Sequence, residues 1–233
     1  MLGTMPRTPL AMTILTRLGE IYPAAADPVR AAGVRAYMRD QFEHFGITNP
    51  RLRELNRDVL AGLGPPAEAD LVAVALGCWA KPEREYQYFA CTYLRKFVGV
   101  CSPSVLSTVR KLVTTRSWWD TVDTLAAHTV GPLVAAHPSL VDAMDAWIND
   151  GNMWVARTAI LHQLRYKERT DAERLFGYCT AQAAHKDFFI RKAIGWALRE
   201  YAYTDPNAVR AYLEAHRAIL APLSVREASR HIS

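Results

Sequence analysis

A repeated pattern in the second half of the chain constrains its fold most strongly. Three short stretches each open with a polar residue followed by two large apolar ones, and they begin at residues 117, 152 and 187, a spacing of 35 residues. A fixed period of this size is typical of stacked helical units, because each unit buries its apolar face against the next. The period is shorter than that of a typical HEAT unit, and the Trp-Leu-Gly-Tyr pattern of tetratricopeptide repeats is missing. We therefore predict HEAT-like helix pairs.

Helical signals also cover most of the remaining chain. Apolar residues recur at spacings of three and four, and alternating strand patterns are nearly absent. Prolines that open a first helical turn mark five helix starts, at Asp27-Pro28, Lys81-Pro82, Ser102-Pro103, His137-Pro138 and Asp205-Pro206. The clearest loop is Gly62–Pro66, which we interpret as a local turn and not as a domain boundary.

These patterns predict an all-α protein, a curved solenoid of antiparallel HEAT-like helix pairs with an extended concave binding face. We expect a single repeat domain over residues 1–233, in which residues 1–10 form a poorly ordered N-terminal segment. Half of the residues are hydrophobic, enough to bury a sizeable core. We find no signal peptide and no transmembrane segment, and we expect no contact with a membrane.

The four cysteines predict buried, reduced thiols. No pair of them has the CxxC spacing, and the histidines do not fall at ligand spacing from them, so we expect no metal site. Glycine-rich phosphate loops and the GxSxG and HExxH motifs are also missing, and we expect no cofactor.

Positive charge is concentrated in one region. Residues 157–199 contain nine basic and four acidic side chains, which accounts for the net charge of +5 of the whole chain. Such a concentration suits a polyanionic partner. The alternative is a solvated face that happens to be basic.

The stretch from Asp187 to Tyr203 predicts an amphipathic helix with a broad apolar stripe. Lys192, Trp196 and Arg199 lie at positions i, i+4 and i+7, so they share the opposite face. A tryptophan that touches only water forgoes roughly 1.5–3 kcal/mol of burial free energy. Trp196 is therefore interpreted either as an aromatic contact within a phosphate-binding strip or as a residue that packs under the next helix.

The stretch 117–123 predicts a second site. Ser117 is a natural N-cap residue, and Asp120 at the third helical position would complete the cap. Trp119 and Asp123 are four residues apart and project together, so an aromatic face and a carboxylate could stabilise a developing cation. The alternative is that Asp123 pairs with an arginine of the next repeat.

Two arginines extend this pattern. Arg157 falls in register with Lys192 one repeat earlier, and Arg165 lies further along the same region. We interpret both as parts of a track that binds phosphates. A surface ion pair is the ordinary role of a lone arginine.

Long stretches of the sequence resemble the bacterial DNA alkylation repair glycosylases of the AlkD type. The resemblance is strongest in residues 117–123, 151–161 and 188–202, and it extends to the tail 220–228 and to residues 37–38 and 44–47. It covers nearly the whole chain, is weaker before residue 117, and is slight in the first 20 residues.

The resemblance implies a HEAT-like fold that binds duplex DNA in its concave face and excises N3- and N7-alkylated purines. It implies that Trp119 and Trp196 contact the deoxyribose of the damaged nucleotide and that Asp123 is the catalytic carboxylate. It further implies that Arg157 holds a phosphate beside the lesion and that Tyr37 completes an aromatic cleft. Arg165, Lys192 and Arg199 would join the DNA-binding surface. A bacterial, cytoplasmic protein associated with the nucleoid is implied, and we expect a monomer.

A cationic purine is already a good leaving group, so one carboxylate would suffice without an acid–base pair. The family acts with the base still largely stacked, unlike glycosylases that flip the base. A Schiff base on Lys192 is a less favoured mechanism. Two non-enzymatic alternatives stay open, a helical scaffold that binds a protein and a silent relative that binds DNA.

Overall fold

A computed structural model describes residues 8–232 of the chain. Within this range the regular elements are helices, no β-strand forms, and an isolated backbone bridge joins Glu43 to Glu83. The all-α prediction is confirmed. Residues 1–7 of the predicted disordered segment lie outside the described residues, whereas residues 8–10 differ from the prediction because Thr8 caps the first helix and Pro9 begins it.

Backbone contacts divide the chain into two compact units, Met1–Thr108 and Val109–Ser233. A single repeat domain over residues 1–233 therefore stays a prediction. The helices of the first unit, with α6 reaching into the second, are α1 (Pro9–Ala24), α2 (Pro28–Tyr37), α3 (Asn49–Leu60), α4 (Glu68–Trp79), α5 (Arg84–Phe97) and α6 (Val105–Thr114). Those of the second unit are α7 (Trp119–Leu125), α8 (Gly131–Ala136), α9 (Val141–Trp147), α10 (Met153–Leu161), α11 (Ala172–Ala181), α12 (Phe188–Ala202), α13 (Pro206–His216) and α14 (Pro222–Ala228).

Prolines mark helix starts much as predicted. Helices α2 and α13 begin at Pro28 and Pro206, each after an aspartate whose side chain accepts a backbone N–H of the first turn. Helices α5 and α6 begin two residues after Pro82 and Pro103. A short 3₁₀ helix that starts at Pro138 precedes α9.

In the first unit, α1 packs against α3 and α4, and α4 packs against α5. The predicted loop Gly62–Pro66 joins α3 to α4 without regular structure. Glu85, near the start of α5, is buried, and its carboxylate accepts backbone N–H groups from Phe45, Gly46 and Ile47. The segment that precedes α3 is thereby fixed to α5.

The second unit is built around a row of helices. Helix α7 packs against α10, α10 against α12, and α12 against α14. A second set packs against this row, since α9 and α11 contact α10, and α11 and α13 contact α12. This arrangement of helix pairs agrees with the stacked units that the 35-residue spacing predicts.

Helix α7 runs into α8 through a π-helical segment, Ala126–Val130. Pro132 lacks an N–H group, and its ring would crowd the carbonyl group four residues earlier in a regular α-helix, which the wider π turn relieves. Gly131 lies against the end of α10, where an added Cβ would come within 2.3 Å of the His162 carbonyl oxygen. The Tyr166 hydroxyl also donates to the Gly131 carbonyl at 2.7 Å. The α7–α8 run is thus held to the end of α10.

All four cysteines are buried free thiols, as predicted. Burial raises the pKa of Cys78 and Cys179 above the ordinary thiol value, which disfavours the reactive thiolate. No helix in residues 8–232 is both long and apolar enough to cross a bilayer.

Candidate functional site

The predicted site residues of the second unit lie on α7, α10 and α12, whose capping residues are Trp118, Asn152 and Asp187. The side chains of Asn152 and Asp187 accept the backbone N–H two residues further on, as good N-caps do. The predicted cap at Ser117 is wrong. Helix α7 begins one residue later, and the Ser117 hydroxyl donates to the Val113 carbonyl at 2.6 Å.

This one-residue offset changes which residues are equivalent. The fifth residue after each cap is Asp123, Arg157 or Lys192. A strict 35-residue spacing, counted back from Arg157, would instead put Val122 in the first of these positions. Val122 is buried in the core. One carboxylate and two cations therefore occupy the same structural position on three helices that pack in succession.

Asp123 and Arg157 form a bidentate ion pair that joins α7 to α10. Arg157 Nε donates to Asp123 Oδ1 at 2.7 Å and its Nη2 donates to Oδ2 at 2.8 Å, while Nη1 donates to the Phe189 carbonyl. The Arg157 side chain is 4% exposed and that of Asp123 is 11% exposed. All three guanidinium nitrogens therefore have protein partners. The structure corrects the expectation that Arg157 is available to bind phosphates as part of a track. It shows instead the alternative, in which Asp123 pairs with an arginine of the next repeat.

Burial raises the pKa of Asp123 above its ordinary value, against the opposing effect of the Arg157 guanidinium. The neighbouring negative charge of Asp120 raises the pKa further. Asp120 lies in the first turn of α7, and its carboxylate accepts the backbone N–H of Thr121 at 2.9 Å, not the N-cap N–H that a reciprocal cap with Ser117 requires.

A cavity of about 350 Å³ opens over this ion pair. Trp119 and Trp196 both line the cavity, and each is half-buried, so neither indole is sealed in the core. Asp123 lies at the same cavity wall, and the rim includes Phe188, an aromatic side chain that is 54% exposed. The predicted carboxylate and the two predicted indoles are thus brought to one place.

Three aromatic side chains pack together behind these residues. The rings of Trp118 and Trp154 each lie 5.1 Å from that of Phe189, and the two indoles lie 6.0 Å apart. This cluster packs the starts of α7, α10 and α12 together, which fixes the helices that carry Asp123 and Arg157.

Lys192 and Arg199 line the same cavity on either side of Trp196, as their spacing on α12 predicts. Both are held by a residue that sequence reasoning missed. Lys192 Nζ lies 3.0 Å from Glu227 Oε1, and Arg199 Nη1 lies 3.0 Å from Glu227 Oε2. Glu227 comes from α14, in the tail that resembles the family, and nothing in its local pattern marks it as a partner of α12.

A second cavity, of about 170 Å³, lies on the other side of Asp123 and Trp196. Its polar lining includes Arg165, Thr124, His128 and Glu200, and it shares Asp123 and Trp196 with the first cavity. Arg165 is exposed and lies in the turn that follows α10. Asp123 can therefore be approached from two sides.

Tyr37 belongs to the first unit and ends α2. Its side chain is 73% exposed, so a ligand can reach it. Its predicted place in an aromatic cleft stays a prediction.

The chemistry available at the first cavity follows from these groups. A carboxylate and two indole faces favour a positive charge, and the lysine and arginine at the edge favour an anion. Residues 8–232 contain no group of three or more His, Cys, Asp or Glu side chains that could hold a metal ion. The groups present suit a ligand that carries both kinds of charge.

The fold and this cavity define an all-helical protein whose second unit presents a carboxylate, two indoles and paired cations at one cavity. A family model described as DNA alkylation repair enzyme matches residues 22–232, and the chain belongs to this family. The family implies DNA as the partner and a role in the repair of alkylation damage. A solved structure titled as a predicted DNA alkylation repair enzyme from Enterococcus faecalis is similar, with 31% identity, a TM-score of 0.82, and coverage of 89% of this chain and 97% of that one. No curated protein sequence matches significantly.

Proposed function

We propose that this protein is a monofunctional DNA glycosylase that hydrolyses the N-glycosidic bond of cationic N3- or N7-alkylated purines in duplex DNA. The observation that carries the proposal is the Asp123 carboxylate, fixed by Arg157 at the wall of a cavity that two half-buried indoles also line. The expected substrates include 3-methyladenine and 7-methylguanine, and the expected reaction needs neither metal nor cofactor.

The leaving group determines what the site must supply. Alkylation at N3 or N7 gives the purine a positive charge, so the bond electrons return to the ring and the base leaves as a neutral molecule. No acid is needed to protonate it. As the bond lengthens, positive charge moves to the sugar, where water adds to the anomeric carbon and loses a proton.

Asp123 is oriented for this task. Each of its oxygens accepts one hydrogen bond from Arg157, and a carboxylate oxygen has about two acceptor sites. One site on each oxygen is thus left for a water molecule or for the developing charge on the sugar. In this proposal Arg157 holds the carboxylate in position, because a bidentate pair fixes the plane of both groups.

The indoles and the cations would hold the nucleotide. The faces of Trp119 and Trp196 would stabilise the cationic sugar by on the order of 1–2 kcal/mol each where water is excluded. Lys192 and Arg199 at the first cavity, and Arg165 at the second, would contact backbone phosphates and thereby place the sugar. Contacts to sugar and phosphate alone would let the base stay stacked.

A non-enzymatic scaffold is the second candidate, because the Asp123–Arg157 pair also joins two helices as an ordinary structural ion pair does. A scaffold that binds protein has no need for two half-buried indoles at the same cavity as the carboxylate, and its affinity for DNA would be weak. Base release distinguishes the two functions.

The test is chromatography of bases released from methylated duplex DNA, without added metal or ATP. The wild-type protein is expected to release 7-methylguanine. Asp123→Asn keeps the shape of the side chain and one acceptor for Arg157 but removes the charge, so release is expected to fall to background while affinity for duplex DNA is largely kept.

The matched control is Asp145→Asn. Asp145 on α9 forms a more exposed ion pair with Arg174 on α11, at 2.9 Å, and it lines neither cavity. This variant should keep wild-type release, and thermal unfolding should show that both variants fold. A wild-type protein that releases no base contradicts the glycosylase function, and a fully active Asp123→Asn contradicts the role of Asp123.

A further inference from the structure

Glu227 is the centre of a charge cluster that also contains Lys192, Arg199 and Arg230. Its carboxylate lies 3.0 Å from Lys192 and from Arg199, and Oε1 lies 2.9 Å from Arg230. The Glu227 side chain is 5% exposed, whereas the three cations are 38%, 22% and 55% exposed. A buried carboxylate thus holds three partly exposed positive groups.

The backbone places Glu227 with little freedom. Helices α12 and α14 are in close contact at Gly195, where an added Cβ would lie 2.6 Å from Glu227 Cβ and 2.8 Å from the Ser224 carbonyl oxygen. The Ser224 hydroxyl donates to the Arg191 carbonyl at 2.8 Å. The Glu227 carboxylate is therefore fixed against the middle of α12.

This placement draws the two cations of α12 together. Lys192 and Arg199 are separated by seven residues, about 10 Å along a helix. Both nevertheless reach the same carboxylate, and Trp196 lies between them on the cavity wall. Although burial alone raises the pKa of Glu227, the ion pairs with the cluster lower it overall, so Glu227 is ionised at neutral pH.

The charge at the cavity depends on Glu227. The ionisable residues in the lining are Arg157, Lys192, Arg199, Asp123 and Glu227, three positive and two negative. Without the Glu227 charge the cavity lining would carry a net charge of +2 instead of +1. In the proposed reaction the substrate is also cationic, first at the base and then at the sugar. A carboxylate at this position offsets that repulsion.

We propose that Glu227 is a positioning residue for the glycosylase reaction, which fixes Lys192 and Arg199 on either side of Trp196 and offsets their charge beside the sugar. The positioning role of Glu227 in the reaction rests on the proposed function. Its effect on DNA binding does not depend on that function, because the Glu227 carboxylate competes with any DNA phosphate for the same two cations. Glu227 thus weakens binding to undamaged DNA and strengthens the discrimination of the cationic transition state.

The main experiment compares Glu227→Gln with the wild type on undamaged and on methylated duplex DNA. Loss of the competing charge frees one phosphate contact, so undamaged DNA should bind more tightly, and the slope of log Kd against log salt should steepen by about one. With the cations no longer fixed, kcat for 7-methylguanine release should fall on the order of tenfold while KM does not rise.

Two further variants separate charge from position. Glu214→Gln makes the same charge change at an exposed residue of α13, lines neither cavity, and should leave both the salt slope and kcat unchanged. Glu227→Asp keeps the charge but shortens the side chain, so it should keep the wild-type slope and lose kcat. This variant also tests the proposal if Glu227→Gln does not fold.

Each outcome supports or overturns the inference. A folded Glu227→Gln with unchanged or weaker affinity overturns the competition, and unchanged kcat in both Glu227 variants overturns the positioning role. A wild-type protein without base release contradicts the proposed function, whereas the affinity measurements on undamaged DNA still decide whether Glu227 competes with phosphate.

Discussion

At the scale of single residues, Asp123 combines two opposed requirements. A buried carboxylate is harder to ionise, yet the proposed role needs its negative charge. The bidentate bond from Arg157 supplies the opposing attraction, and the nearby Asp120 acts in the other direction. The balance leaves the pKa of Asp123 above the ordinary value, which has a measurable consequence for the pH dependence of activity.

In the proposed reaction the active form of Asp123 is the carboxylate, so activity should be lost as the pH falls through its raised pKa. The acidic limb of kcat/KM, which reports the free enzyme, should therefore lie above the ordinary aspartate value of about 3.9. Asp120→Asn removes a negative neighbour and should move this limb to lower pH. The measurement is base release as a function of pH.

Asp142→Asn, an exposed substitution on α9 that lines neither cavity, should leave the profile where it is. An acidic limb at or below the ordinary aspartate value, or a shift to higher pH in Asp120→Asn, would contradict the assignment of the limb to Asp123.

Single residues could be recognised from the sequence. Their partners were indicated only in part, because the pairing of Asp123 with an arginine was one of two alternatives and Glu227 was not indicated at all. The spacing of Trp119 and Asp123 and that of Lys192 and Trp196 correctly placed these side chains at a common cavity. The start of α7 was misjudged by one residue, because Ser117 is as good a cap by type as the residues that cap α10 and α12. That single shift hid the equivalence of Asp123 with Arg157.

At the scale of helices, the close contact between α12 and α14 helps to position the site. It depends on the missing side chain at Gly195, since a Cβ there would overlap a backbone carbonyl. The helices can approach this closely because glycine has no side chain, although glycine within a helix costs roughly 0.5–1 kcal/mol relative to alanine.

Gly195→Ala should force α12 and α14 apart and destabilise the protein by about 1–3 kcal/mol, since overpacking strains the backbone. The melting temperature should fall by several degrees. The matched control is Gly177→Ala on α11, where a Cβ meets no atom within 4 Å.

That control should raise stability by about 0.5–1 kcal/mol, because alanine favours the helix. Thermal unfolding checks both. A Gly195→Ala variant as stable as Gly177→Ala would show that α12 and α14 can separate without cost.

Helices were predicted well where a cap and an apolar period coincide, as at Asp187 and at Asp205-Pro206. The π segment Ala126–Val130 was not predicted, because a widened turn differs from an α-helix by one hydrogen-bond step and leaves the apolar period almost unchanged. The role of Glu227 was missed for another reason. It depends on the packing of two helices, and no local pattern reports packing.

At the scale of the molecule, charge is the property that relates the chain to its partner. Much of the basic excess in residues 157–199 is already paired, since Arg157, Arg174, Lys192 and Arg199 each contact a carboxylate. Composition alone therefore overstates the charge that is free to meet phosphates. Arg165 is an exposed cation that lines a cavity beside Asp123.

Arg165→Gln should weaken binding to duplex DNA and reduce the slope of log Kd against log salt by about one, the effect of one lost phosphate contact. Arg210→Gln, which removes a cation from α13 outside both cavities, should change the slope less. Binding isotherms at several salt concentrations give both slopes. Equal slopes for the wild type and Arg165→Gln would remove Arg165 from the binding surface.

The class of fold could be predicted from the sequence, because the apolar period and the repeat length can both be recognised without knowing which residues are in contact. The degree of curvature of the stack and the distance of Tyr37 from Asp123 could not, since they depend on angles between helices that no residue pattern encodes. Curvature and the cleft at Tyr37 stay predictions.

The shared position of Asp123 and Arg157 on adjacent helices has a consequence for protein engineering. Modular proteins invite the exchange of whole units between relatives, on the assumption that a boundary in a loop leaves function intact. Here such an exchange between α7 and α10 would separate the Asp123 carboxylate from the Arg157 guanidinium. Each half would then keep a buried charge without its partner. A transferable piece must therefore contain at least the pair of neighbouring modules, from residue 117 to the end of α10.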